Sequence, residues 1–237
     1  MTGGKKISKT SIHRLYKKKG IKVKAIVHIK KKAAVAKDSD DVSLKELKTQ
    51  VDIALKDGRE IIFVDECMFT HATMPKKAYA AVGDNVRVNP NFGNTNPVAL
   101  LAGISADHGI VHFLMFDRSV NTERFLEFLE GIDGSMQGKK VAIFMDNLNV
   151  HRSNKVRDYM EQNDMMANFN LPYSPQYNPI EVYFAHIKNH YRKEKLGKMV
   201  NNERFDGRNL IIGAIESRSQ DSVMKVAASG IEKLRIK

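Results

Sequence analysis

From Arg59 onward the apolar residues fall into short blocks, and the blocks predict strands first and helices later. Residues 61 to 64 (IIFV) form a continuous apolar run, as a strand covered on both faces should. Residues 85 to 96 are rich in Asn, Pro and Gly and predict a loop. After it, apolar blocks at 98 to 104 and 110 to 116 flank the turn residues SADHG, which predicts a hairpin. Asn121 can cap a helix carrying Phe125, Leu126, Phe128, Leu129 and Ile132 on one stripe, with residues 131 to 138, opened and closed by glycine, breaking it. A strand at Val141–Met145, a helix over 153 to 162, a strand at Met165–Phe169 and two further helices follow. A mixed sheet with helices on its faces satisfies this order, with the strands at 61 to 64 and 141 to 145 central.

The first 58 residues follow a different pattern. SKTSIHRLYKKKG has a Ser or Thr start signal, Ile12 and Leu15 three apart and Gly20 as a stop, which predicts a short basic helix. IKVKAIVHIKKK alternates apolar and basic residues and predicts an extended strap. In residues 37 to 58, Leu44, Leu47, Val51 and Leu55 recur at helical spacing and Gly58 ends the pattern, giving a connecting helix.

Charge sharpens this division. The net charge of +12 is concentrated in residues 1 to 37, which hold 13 Lys and Arg and no acid, leaving 26 basic against 27 acidic residues elsewhere. Such a segment is either a solvated arm or a polyanion-binding element, and nucleic acid is the favoured partner. The candidate contacts are Arg14, Lys17, Lys18, Lys19, Lys22, Lys24, Lys30, Lys31 and Lys32. Cys67 is the only cysteine, which excludes an intramolecular disulfide and a cysteine-rich zinc site. No run approaches the ~18 apolar residues of a membrane span, and the Lys-rich start has no apolar core behind it as a secretory signal would. The expected location is cytosol or nucleus.

Three acids carry the candidate chemistry: Asp65 closing IIFVD, Asp146 closing VAIFMD, and Glu181 inside SPQYNPIE. Each also has an ordinary explanation. Aspartates after strands cap turns, and Glu181 sits where a glutamate serves as a capping-box residue after the N-cap Asn178 and the first-turn Pro179. The same device used twice, apolar strand then Asp, followed by a proline-fixed helix bearing Glu, weighs against coincidence. Ile180, Tyr183, Phe184, Ile187 and Tyr191 form the buried stripe of that helix, while Glu181, Ala185, Lys188 and Arg192 share a neighbouring face suited to metal and then DNA phosphates. Glu66 points to the opposite strand face; Asp84, Asp107 and Asp117 sit near turns as caps; His71, His108 and His112 lack zinc-ligand spacing.

The strings IIFVDE, VAIFMDNLNVH and LPYSPQYNPIE resemble the catalytic core of mariner-like transposases (the Tc/mariner superfamily) and their bacterial insertion-sequence relatives. The 34 residues between Asp146 and Glu181 match a major branch. The resemblance covers roughly residues 59 to 195. It implies an α/β, ribonuclease-H-like fold: a mixed five-stranded sheet flanked by helices, here with a basic N-terminal extension. It also implies a catalytic, metal-holding triad of Asp65, Asp146 and Glu181, with Asn147, His151 and Asn178 supporting the site.

On this reading, residues 1–37 are a DNA-binding tail resembling the end of a second helix-turn-helix and its linker, 38–58 a connecting helix and 59–237 the catalytic domain. Three converging carboxylates would repel and raise at least one pKa; two Mg²⁺ or Mn²⁺ ions, roughly 3.5–4 Å apart, would remove that cost and activate water or a DNA 3′-hydroxyl. The expected partners are double-stranded DNA, at transposon ends and target, and a second copy of the chain; the location is the nucleus in a eukaryote and the cytoplasm in a bacterium. Two alternatives remain: a domesticated, DNA-binding relative without cleavage, and a nuclease of similar fold without strand transfer.

Overall fold

The computed structural model describes residues 8–19, 37–75, 93–94 and 96–235. The chain divides into two compact units, Met1–Val35 and Ala36–Lys237. In the first, Lys9–Lys18 forms helix α1, the short basic helix anticipated above. Arg14, Lys18 and Lys19 are exposed, whereas the predicted strap and Lys22, Lys24, Lys30, Lys31 and Lys32 lie outside the described residues, as does Asp84.

The second unit runs α2 (Lys37–Lys56), β1 (Glu60–Phe69), β2 (Gly93–Asn94), β3 (Val98–Ser105), β4 (Gly109–Phe116), α3 (Thr122–Met136), β5 (Val141–Met145), α4 (Asn154–Gln162), β6 (Met165–Phe169), α5 (Ile180–Val200), β7 (Phe205–Asp206), α6 (Gly207–Glu216) and α7 (Gln220–Leu234). Five strands form a mixed sheet in the order β4-β3-β1-β5-β6, antiparallel from β4 to β1 and parallel from β1 to β6. This is the expected fold class, with β1 in the centre. β2 and β7 pair separately.

Helices cover both faces, and strand periodicity decides which residue meets which helix. Ile62, Val64, Val141, Ile143 and Met145 pack with Phe125, Phe128, Leu129 and Ile132 of α3 and with Val156 and Met160 of α4. Ile61, Phe63, Cys67, Phe69, Ala142 and Phe144 pack on the other face with α5, α6 and α7. They also meet Leu47, Val51 and Ala54 of α2, so the helix expected as a connector buries its apolar stripe in the core.

Three boundaries differ from expectation. β1 does not end near Asp65; it continues to Phe69, because β3 pairs with it as far as Phe69↔Val98. α3 runs through Gly131 instead of breaking there. A Cβ at Gly131 would stand 2.2 Å from the Nε2 of His112, so the glycine lets helix and strand approach closely. Three helices, not two, follow β6, since Asp206 accepts from the Arg208 and Asn209 amides and caps α6.

Candidate active site

Register places the first two acids. β1 and β5 run parallel with Glu60 opposite Val141 and Phe63 opposite Phe144. The same register carried two residues further brings Asp65 level with Asp146. Parity does the rest: Asp65 follows Ile61 and Phe63, and Asp146 follows Ala142 and Phe144, so both acids belong to the face that α5 covers. β5 stops at Met145 while β1 continues, and the sheet opens at that level.

The third acid comes from α5, whose buried residues Ile180, Tyr183, Phe184, Ile187 and Tyr191 seat the helix on this face. Pro179 already has helical dihedrals and Asn178 is extended. Asn178, 3% exposed, donates from Nδ2 to the Val64 carbonyl at 3.2 Å and accepts from the Ile180 amide at 3.4 Å. One side chain thereby caps α5 and fastens its first turn to the residue preceding Asp65. Glu181, in that turn, is exposed.

The electrostatics of the three acids meet at Asp65. The Asp65 carboxyl is pushed up to about 7, first by burial and then by the charges of Glu181 and Asp146, against the Glu66 amide that donates to it at 2.7 Å. Asp146 behaves in the opposite way. Burial raises its carboxyl, but the His151 ring and the Leu148 amide outweigh that and leave it below the ordinary value. His151 is 4% exposed, with Nδ1 2.8 Å from Asp146 Oδ1 and its ring against Phe125 at 4.3 Å between centroids. Asn147 donates from Nδ2 to the Asn170 carbonyl and joins the loops after β5 and β6. The supporting residues singled out in the sequence therefore sit against the acids or their loops.

The donor chemistry suits a hard divalent cation: the groups are carboxylate oxygens, and the nearby Cys67 thiol is pushed up to about 11 by burial, against the pull of Lys188. Among the described residues, no group of three or more His, Cys, Asp or Glu side chains is gathered as a metal site. The carboxylates share a field without sharing a ligand sphere. Lys188 is half-buried beside Cys67 on the acid face. Arg192 donates from Nη1 to Asn189 Oδ1 within its own helix and is not among the groups acting on the carboxylates.

Other residues take structural parts. Glu66 faces the α3 side and accepts from the Val120 amide at 3.2 Å. His108 joins Glu60 at 2.7 Å and Lys139 at 2.8 Å, and Asp117 pairs with Arg208 at 2.6 Å. Lys195, fully buried, donates to the His71 carbonyl at 3.2 Å, and burial lowers its pKa.

Sequence reasoning missed a groove of about 1170 Å³ beside Glu181, between α5 and α7. Its signal was present in α7, where Ser222, Lys225, Ser229 and Lys233 recur at helical spacing. Only the packing of α7 against the start of α5 turns that stripe into a wall: a Cβ at Gly230 would stand 2.4 Å from Pro179 Cγ.

The sequence profile of the DDE superfamily endonucleases matches residues 60–201. Solved structures of Mos1 transposase share the fold. Its paired-end complex with the left transposon end aligns at 16% identity and a TM-score of 0.61, covering 96% of this chain and 69% of that one. The Mos1 mariner paired-end complex with Mn gives 16% and 0.58 over 96% and 69%. The catalytic domain of Mos1 mariner transposase gives 17% and 0.52 over 82% and 91%. No curated protein matches the chain. The five-stranded sheet is thus ribonuclease-H-like, and no helix among the described residues is long and apolar enough to cross a membrane.

Proposed function

Because the chain belongs to the DDE superfamily endonucleases, we propose that it is a DNA transposase whose catalytic carboxylates are Asp65, Asp146 and Glu181. The observation that carries this reading is geometric: the β1/β5 register brings Asp65 level with Asp146 on the face where Asn178 fastens the first turn of α5, and with it Glu181, and burial and these two acids push the Asp65 carboxyl up to about 7. A protein gains nothing in stability from such an arrangement. It is useful where positive charge is to be bound.

Asp65, Asp146 and Glu181 would hold Mg²⁺ or Mn²⁺, two ions per site; the similar Mos1 paired-end complexes contain Mn and Mg. Bound there, the ions supply Lewis acidity for in-line displacement at phosphorus. The chain's own residues do the positioning. Asp65 is held in the ladder by β3 on one side, His151 orients Asp146, and Asn178 ties the first turn of α5 to β1 so that Glu181 would face the same phosphate. Lys188 contributes a cation on this face for the backbone charge. Hydrolysis breaks a P–O3′ bond and frees a 3′-hydroxyl; that hydroxyl, in place of water, attacks a phosphorus of a second duplex and displaces the 3′-oxygen of the strand there, which leaves with the proton the attacking hydroxyl gives up. The basic residues of α1 and the segment after it would hold double-stranded DNA, and two copies would pair two transposon ends in cut-and-paste transposition, in the nucleus of a eukaryote or the cytoplasm of a bacterium.

The test is incubation with labelled terminal-repeat DNA of the encoding element and Mg²⁺ or Mn²⁺, beside Glu181→Gln. Cleavage and joining, both lost in the variant, are the expected result. Binding without cleavage would identify a DNA-binding relative, and cleavage without joining a nuclease; either would overturn the reading.

A further inference from the structure

The groove between α5 and α7 begins at Glu181, one of the three acids, yet none of the roles assigned above uses it. Its α7 wall is a single stripe. Ser222, Lys225, Ser229 and Lys233 fall within about 80° of one another at 100° per residue, so hydroxyls and ammonium groups alternate along one line. Among the described residues neither Lys225 nor Lys233 forms an ion pair, although both are exposed and acids are plentiful in the chain. On the α5 wall the small Ala185 keeps the channel open behind Glu181, while Asp221 marks the amino-terminal end of the α7 wall. The wall is also rigidly mounted, since Gly230 packs directly on Pro179, the residue that starts α5. A shift of α7 would therefore disturb the helix that carries Glu181.

We propose that this groove is a track for the phosphodiester backbone of the DNA strand leading away from the acids, with Lys225 and Lys233 as phosphate contacts and Ser222 and Ser229 as hydrogen-bond donors between them. The proposal rests on the transposase reading and deepens it. Lys225 and Lys233 are eight residues apart, about 12 Å along a helix, which exceeds the rise of about 3.4 Å per nucleotide along a duplex axis, so the two cations would meet different phosphates. The alternation of cation and hydroxyl recognises a regularly spaced polyanion without reading its sequence. It therefore suits DNA flanking the cut, whose sequence varies from one insertion site to the next.

The test is a titration of a fluorescein-labelled DNA duplex by the full chain over a range of salt concentrations. Wild type is compared with Lys225→Ala/Lys233→Ala, Lys225→Arg/Lys233→Arg and the control Lys139→Ala/Lys140→Ala, whose residues precede β5, at the end opposite Asp146. Thermal melting checks that each variant is folded. The expected result is that the alanine pair lowers the slope of log affinity against log salt by about 2, while the arginine pair and the control keep the wild-type slope. An unchanged slope in the folded alanine pair overturns the proposal. So does a change confined to the sedimentation of the protein without DNA, which would assign the groove to a second copy. Cleavage by wild type with an unchanged slope removes the track and leaves the transposase reading; a lowered slope without cleavage does the reverse.

Discussion

Asp65 and Glu66 are neighbours in β1, and the two faces of the sheet differ as these two residues do. On the α3/α4 face, Ile62, Val64, Ile143 and Met145 meet a helix stripe of Phe and Leu, and Glu66 spends its charge on the amide of a loop. On the other face the same strands present Asp65, Cys67 and Asp146 to a helix that brings Glu181 and Lys188. One face is built to be filled, the other to be charged. Both use the same strand backbones, so the difference comes from parity alone. The charged face is the less stable design by itself: its central carboxyl pays for burial and repulsion.

The largest expected difference between the faces is in activity. Asp65→Asn should lower DNA cleavage by on the order of 10³-fold or more, the loss of several kcal/mol of charge stabilisation, while Glu66→Gln stays within a few-fold. Equal losses in single-turnover assays would break the comparison. Stability should move in the opposite sense. The folded Asp65 carboxyl titrates near 7 against 3.8 ordinarily, so its protonated form contributes stability that is complete below pH 3.8 and lost as pH rises through 7. With chelator at pH 8, Asp65→Asn should therefore stabilise by on the order of a few kcal/mol. At pH 4 the gain should vanish, and denaturant melts at the two pH values check it.

Between the faces stands His151, packed on Phe125 and turned to Asp146. His151→Ala should cost about 10–100-fold in cleavage or in Mn²⁺ affinity measured by calorimetry, as the loss of a ligand's partner does. On the filled face, Gly131→Ala should destabilise by about 1–3 kcal/mol through overpacking on His112. His112→Ala in the same chain should recover part of that, read as a double-mutant cycle. The smallest effect belongs to neither face. Asp117→Ala removes an ion pair whose acid is 77% exposed, and its denaturant midpoint should match that of wild type.

Much of this was legible in the chain itself. Val141–Met145 and Met165–Phe169 were readable residue for residue, because each is a short apolar or β-prone run between turn signals. Asn121 was readable as a cap, and its side chain accepts from the Arg124 amide at 3.0 Å. The length of β1 was not, since the acidic pair Asp65-Glu66 looks like a strand end, and what extends it is the pairing of the distant β3. Gly131 has the local signature of a break, and its reason for being in a helix lies on β4. Within the site, sequence could propose three acids but not that Asn178 would reach back to the Val64 carbonyl, nor that His151 would face Asp146. The α5/α7 groove was least legible, because it exists only where two helices far apart in sequence lie side by side.

The common register of β1 and β5 also bears on how such a chain can change over generations. Asp65 and Asp146 are brought level by four ladder pairs, Glu60↔Val141 to Phe63↔Phe144, and by nothing in the stretch of chain that separates them. Whole segments could be inserted between β1 and β5, or exchanged at the hairpin, and the two acids would stay level. Loss of a single residue inside either strand would instead rotate one acid to the filled face. The architecture is thus open to large insertions and closed to the smallest deletions.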